Sequence, residues 1–124
     1  MRDWFADYLE ACNRHDLEAL RELIDPAVRR AHLPSGVDAW MADLTELFAA
    51  FPDWQWRRIQ LVVEQDRIAA QLRASGSHTG SYRSIAPTRR HVNVAEFAFM
   101  RIANGRVVEV TGSADAELIA LLGS

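Results

Sequence analysis

The chain has 124 residues, 49% of them hydrophobic and 25% charged, with a formal net charge of -3. That is the length of one domain, residues 1–124, with enough apolar mass for a real core and too little for two. The negative balance argues against a nucleic-acid partner, because Arg57-Arg58 and Arg89-Arg90 are short pairs and not a concentrated basic face. A single cysteine cannot build a disulfide framework, which fits a reducing compartment. No apolar run reaches the length of a bilayer span and no signal peptide precedes the first helix, so the expectation is a cytoplasmic protein without membrane contact.

In chain order, Phe5, Tyr8, Leu9 and Cys12 recur at helical spacing and predict an amphipathic helix over residues 2–13. Asn13-Arg14-His15 reads as a turn. Asp16 then caps a second helix carrying Leu17, Leu20, Leu23 and Ile24, which Pro26 ends. An irregular stretch holding His32 and Pro34 runs to Ser35-Gly36. A third helix carries Trp40, Leu44, Leu47, Phe48 and Phe51 on one stripe until Pro52. Four strands are predicted next, Trp54 to Glu64, Ile68 to Ser77, His91 to Ile102 and Arg106 to Gly112. Asp66 sits in the first turn. Asn104-Gly105, a dipeptide tolerant of left-handed backbone, sits in the last. A short helix from Asp115 to Leu122 closes the series.

Helices followed by an antiparallel sheet is an α+β order, and helices laid across a curled sheet leave a conical pocket. The third predicted strand is apolar on both sides, with Val92, Val94, Ala98 and Met100 on one and Ala95, Phe97 and Phe99 on the other. Both faces of the sheet are therefore expected to be covered, one by the helices and the other by a partner subunit.

Alternation places a few polar residues on the pocket side. His78 continues the apolar face of Ile68, Ala70, Leu72 and Ala74, as an acid, a base or simply a histidine bonded at a strand end. Glu96 shares its face with Val94, Ala98 and Met100, where burial raises a carboxyl pKa; an ion pair with Arg73 or Arg101 is the structural alternative. Asp43 lies on the margin of the third helix's stripe. Asp115 is either functional or the cap of the closing helix. Cys12 sits mid-stripe and packs. Trp40, Trp54, Trp56 and Tyr82 could line a pocket for a flat aromatic ligand, though core packing is the commoner use of such residues. The four histidines lack the spacing of a zinc site, and neither a phosphate loop nor a nucleophile elbow is present. The chemistry expected is cofactor-free acid–base work with no metal.

Several stretches together resemble the SnoaL-like polyketide cyclase family. They are Gly76-Ser77-His78-Thr79-Gly80, Pro87-Thr88, Arg101-Ile102, Asn104-Gly105-Arg106-Val107-Val108-Glu109, Asp115 and Leu121-Leu122-Gly123. Asn13-Arg14-His15-Asp16, Gly36 and Phe51-Pro52-Asp53 fall in similar places upstream. The resemblance implies an NTF2-like curved antiparallel sheet with N-terminal helices around a conical pocket, and a homodimer or tetramer through the outer sheet face. It also implies a polycyclic aromatic or polyketide ligand. The best-known members close a ring by intramolecular aldol condensation; others are hydroxylase components, epoxide hydrolases or isomerases. His78 with Glu96 or Asp43, and Asp115, are the candidate proton carriers. Cys12, His32, Trp40, Phe51, Trp54, Trp56, Tyr82, Ala98, Met100 and Gly112 are the candidate ligand contacts. Two departures stand out: the aldol cyclases' acid/base aspartate falls at Gly112, and a histidine of the preceding strand falls at Ala98. The chain could thus be a cyclase or isomerase whose proton carrier has moved, or a non-catalytic binding member of the same fold.

Overall fold

A computed structural model describes residues 1–123. The elements run α1 (Arg2–Asn13), α2 (Leu17–Glu22), β1 (Ile24–Arg30), α3 (Val37–Ala50), β2 (Gln55–Glu64), β3 (Arg67–Ser77), β4 (His91–Ala103), β5 (Arg106–Thr111) and α4 (Asp115–Leu122). Asp16 caps α2 as expected, its carboxylate accepting from the Ala19 N–H at 3.1 Å. The β4–β5 hairpin turns at Asn104 and Gly105, with φ of 53° and 75°. Both are in the left-handed region that a type I′ turn requires.

One element corrects the sequence reading. Ile24 to Arg30, taken as a helix end and an irregular stretch, is a strand that pairs in parallel with β5. The five strands lie in the order β1-β5-β4-β3-β2, so a four-strand antiparallel meander gains a parallel edge. Pro26 sits where the pairing register breaks, between Ile24 and Arg29, and an edge strand tolerates the missing donor there. Further register breaks fall between Arg58 and Gln60 of β2 and at the Arg101/Ile102 step of β4. Such bulges bend strands, and here they curl the sheet into the wall of a cone.

The helices cover the concave face, with Phe5, Leu20, Ile24, Phe51, Trp54, Ile68 and Leu118 almost wholly buried between the layers. The opposite face is uncovered in the single chain: Phe97 is 55%, Phe99 60% and Val62 52% exposed. Among the described residues no helix is long and apolar enough to cross a membrane.

Candidate functional site

Between the concave sheet face and α1, α3 and α4 lies a cavity of about 110 Å3 that opens to solvent. Its place, between the helices and the concave face of the sheet, is that expected of a small-molecule site. Of the residues named from the sequence, Cys12, Trp40, Asp43, Trp54, Trp56, Tyr82, Glu96, Ala98, Met100, Gly112 and Asp115 line it. Three do not. His32 is exposed in the loop after β1 with φ of 65°. Phe51 stands behind the wall, its ring 5.0 Å from Trp54 and 5.8 Å from Tyr82.

His78 is the third, and the expectation that it faces the pocket is corrected by its packing. It is wholly buried, with its ring stacked on Phe51 at 5.1 Å. Its Nδ1 accepts the backbone N–H of Thr88 at 3.0 Å and lies 3.0 Å from the Thr88 hydroxyl. A ring nitrogen that accepts an amide proton belongs to neutral imidazole, so the remaining proton is on Nε2. Burial lowers the His78 pKa, opposed by a backbone contact with Gly80. Its place in the fold is to fasten the β3–β4 loop. Next to it, Thr79 and Gly80 donate backbone N–H groups to the carbonyl of Ala50. A Cβ at position 80 would stand 2.5 Å from the Ala49 carbonyl oxygen, so only glycine lets the loop cross the end of α3 so closely.

Glu96 faces the cavity from mid-β4. The ion-pair alternatives are absent: Arg73 donates to Asn93 and Arg101 to Glu109. Its one described hydrogen bond comes from the indole Nε1–H of Trp56, at 3.4 Å from Oε1. Burial pushes its carboxyl up to about 7; the Trp56 hydrogen bond works against this and the nearby Asp115 charge adds to it. At neutral pH both protonation states are populated, which is what a proton carrier needs.

Tyr8 and Cys12, one helical turn apart on α1, adjoin Glu96. Burial holds the Tyr8 hydroxyl well above its ordinary range, and the Cys12 thiol at about 12. The two side chains are hydrogen-bonded, and both are raised further by the Glu96 charge. Cys12 is therefore a thiol, not a nucleophilic thiolate.

Asp43 is held differently. Its Oδ2 accepts from Arg30 at 2.7 Å and its Oδ1 from Arg83 at 3.5 Å. Arg83 also pairs with Glu46. The Arg30 guanidinium is buried, lies 5.6 Å over the Trp40 ring and donates to the Pro34 carbonyl at 3.1 Å. A carboxylate shared by two guanidiniums is a clamp between β1, α3 and the β3–β4 loop. Asp115 begins α4 rather than capping it: Ala114 is the N-cap, and the Ser113 hydroxyl donates to Asp115 Oδ1 at 2.8 Å.

Tyr8, Arg30 and Arg83 also line the cavity, and none was singled out from the sequence. Tyr8 was legible as part of the α1 stripe, one turn from Cys12. Arg30 could not be placed without recognising β1. The Asn13-Arg14-His15-Asp16 stretch has a concrete use: the Asn13 amide accepts the Trp56 N–H at 2.8 Å and donates to the Trp56 carbonyl at 2.9 Å. His15 Nε2 lies 2.7 Å from the Trp54 carbonyl, and its ring stacks on Phe48 at 3.7 Å. The turn after α1 thus fixes Trp54 and Trp56, two of the three tryptophans that line the cavity.

Ala98 and Gly112 occupy wall positions but bring no functional group. At Gly112 the backbone leaves room for none: φ is 108°, and a Cβ would lie 1.8 Å from the Phe97 carbonyl oxygen. Among the described residues no three His, Cys, Asp or Glu side chains gather as a metal site.

Comparison of the sequence with curated proteins gives no match. Solved structures are similar over nearly the whole chain. IdmH from Streptomyces antibioticus, provisionally named a polyketide cyclase, is 29% identical with a TM-score of 0.80, covering 99% of this chain and 98% of its own. AclR from Streptomyces galilaeus, provisionally named a hydroxylase, is 22% identical with a TM-score of 0.85, covering 98% of this chain and 83% of its own. A SnoaL-like polyketide cyclase from Agrobacterium tumefaciens is 22% identical with a TM-score of 0.80, covering 90% and 88%. The family model for SnoaL-like polyketide cyclase matches residues 3–119. With that match over a curved-sheet cone of the NTF2-like kind, the chain belongs to the SnoaL-like polyketide cyclase family.

Proposed function

We propose that this protein is a cofactor-free acid–base catalyst, a cyclase or isomerase acting on a polyketide-type aromatic molecule held in the cavity, with Glu96 as the proton carrier. The observation that carries this reading is a half-buried carboxyl in the cavity wall, without a cationic partner among the described residues and with its pKa raised to about 7. In an aldol closure the Glu96 carboxylate takes a proton from a carbon activated by a neighbouring carbonyl. The C–H electron pair passes into the carbonyl as an enolate and then forms the new C–C bond to a second carbonyl carbon. The resulting alkoxide receives the proton from Glu96, which returns to carboxylate, so nothing else is consumed. His78 takes no part because it lies outside the cavity, and Asp43 is engaged by two arginines.

The test is incubation with anthraquinone esters and related polyketide intermediates, followed by thermal shift and mass spectrometry. A ligand at a hundred times its dissociation constant adds roughly 2.7 kcal/mol of stability. A shift with a changed product, lost in Glu96→Gln, supports the catalyst; unchanged turnover in that variant removes Glu96 from the mechanism. The absence of functional groups at Ala98 and Gly112 favours a second reading, a binding protein without turnover, which predicts a shift and an unaltered ligand. The exposed Phe97, Phe99 and Val62 support a homodimer through the outer sheet face. Phe97→Asp should convert such a dimer to monomer in sedimentation, and a wild-type monomer would refute it.

A further inference from the structure

The cavity wall formed by α1, β2 and β4 is rich in hydrogen-bond donors. Tyr8 offers a hydroxyl, Cys12 a thiol and Trp56 an indole N–H, and Glu96 adds a carboxyl proton when in its acid form. The two cations lining the cavity are already committed: Arg30 to Asp43 and Pro34, Arg83 to Asp43 and Glu46. Trp56 donates to Oε1 of Glu96, which leaves the carboxyl proton to Oε2. The Tyr8 hydroxyl has Cys12 sulfur as its partner, a weak acceptor that a carbonyl oxygen outcompetes. Two oxygen-bound protons therefore stand on neighbouring walls without a strong acceptor. Asp115 and Glu96 on the same cavity make an anionic group a poor occupant.

We propose that Tyr8 and Glu96 together receive one carbonyl oxygen of the ligand, so that the bound molecule is a neutral ketone or quinone with that oxygen against α1 and β4. This rests on the reading of the cavity as a site for a flat polyketide-type molecule, and it adds a role for Tyr8. Once Glu96 has taken the C–H proton and the new C–C bond forms to this carbonyl's carbon, negative charge develops on this oxygen; the Tyr8 hydroxyl stabilises it and Glu96 returns the proton to it. Held well above its ordinary pKa, Tyr8 remains a donor across the working pH range.

The test compares 9-fluorenone with fluorene, which share a three-ring frame and differ by the carbonyl. Wild-type protein at pH 5.5 should bind fluorenone about tenfold more tightly, the worth of one to two net hydrogen bonds. Tyr8→Phe should lose most of that preference while binding fluorene as before. The infrared carbonyl stretch of bound fluorenone should lie at lower frequency in wild type than in Tyr8→Phe. The wild-type preference should also shrink as pH rises through about 7, where Glu96 gives up its proton. The other titratable or charged groups around it are Tyr8 and Cys12 from α1, Arg30 from β1, Asp43 from α3, Arg83 from the β3–β4 loop and Asp115 from α4. Tyr8 and Cys12 are pushed far above that range. Equal affinity for the two probes in wild type, or a preference and stretch unaltered in Tyr8→Phe, overturns the proposal. Binding of neither probe removes the polyketide reading and this inference with it; binding of both alike removes only this inference.

Discussion

The indole Nε1–H of Trp56 on β2 points at Oε1 of Glu96 on β4, across the intervening β3, and Trp56 is itself pinned through both backbone groups by the amide of Asn13. The ionisation of one carboxyl is thereby coupled to the turn after α1. The Trp56 hydrogen bond holds the Glu96 pKa below what burial alone would give. Trp56→Phe should therefore raise it further, seen as an upward move of the Glu96 side-chain titration by carbon NMR. A fall in that titration would mean the indole donates elsewhere in solution.

Glu96 should also shape stability against pH. Its pKa in the fold is about 7 against an ordinary 4.5, so its contribution is fully present below pH 4.5 and is lost as pH rises through 7. Glu96→Gln should match wild type at pH 4.5 and exceed it by ~3 kcal/mol at pH 8 in urea unfolding. His78, with a lowered pKa, acts oppositely, and its contribution is lost as pH falls below the ordinary imidazole value of 6.5. It is common to both proteins and cancels in the difference. Equal stabilities at pH 8 would show that the Glu96 pKa is not raised in the fold.

Gly112→Asp, which puts a carboxyl where the resemblance to the aldol cyclases places their acid/base aspartate, should not supply a second proton carrier. With φ of 108° and the Phe97 carbonyl in the way of any Cβ, it should lose about 3 kcal/mol or more. Gly112→Ala separates backbone strain from charge and should lose nearly as much. A Gly112→Asp protein as stable as wild type would show that the end of β5 can reshape.

The Arg30–Asp43 pair should behave as a buried clamp. Asp43→Asn leaves the buried Arg30 guanidinium without a carboxylate counter-charge, beside the Pro34 carbonyl and the Trp40 ring, and should lose about 2 to 3 kcal/mol in urea unfolding, since Asp43 itself is 28% exposed. Replacing both partners, Arg30→Met with Asp43→Leu, should recover most of the loss. A double variant weaker than Asp43→Asn would mean the pair contributes more than it costs to bury.

Much of this was legible in the chain because local chemistry and global fold agree. The Asn104-Gly105 turn, the Asp16 cap and the alternation that turned Glu96 inward all act over a few residues. β1 was not legible. Asp25-Pro26 and Arg29-Arg30 carry no strand signature, and the segment is a strand only because β5, far along the chain, supplies its partners. His78 shows the complementary limit. Its facing side was read from alternation, but whether a cavity or Phe51 and Thr88 lay opposite depended on how the β3–β4 loop folds back.

The pairing of β1 with β5 also bears on how the molecule comes into being. Ile24 sits opposite Val107, so the concave sheet cannot close until residues through Val107 have left the ribosome. A β-sheet finished by so distant a contact carries a large loop-closure entropy and folds slowly. In the interval α1 and α2 have no completed sheet to cover, and Phe5 and Leu20, almost wholly buried in the finished core, face water. A nascent chain halted before Arg106 is thus a natural client for a chaperone that recognises apolar helices.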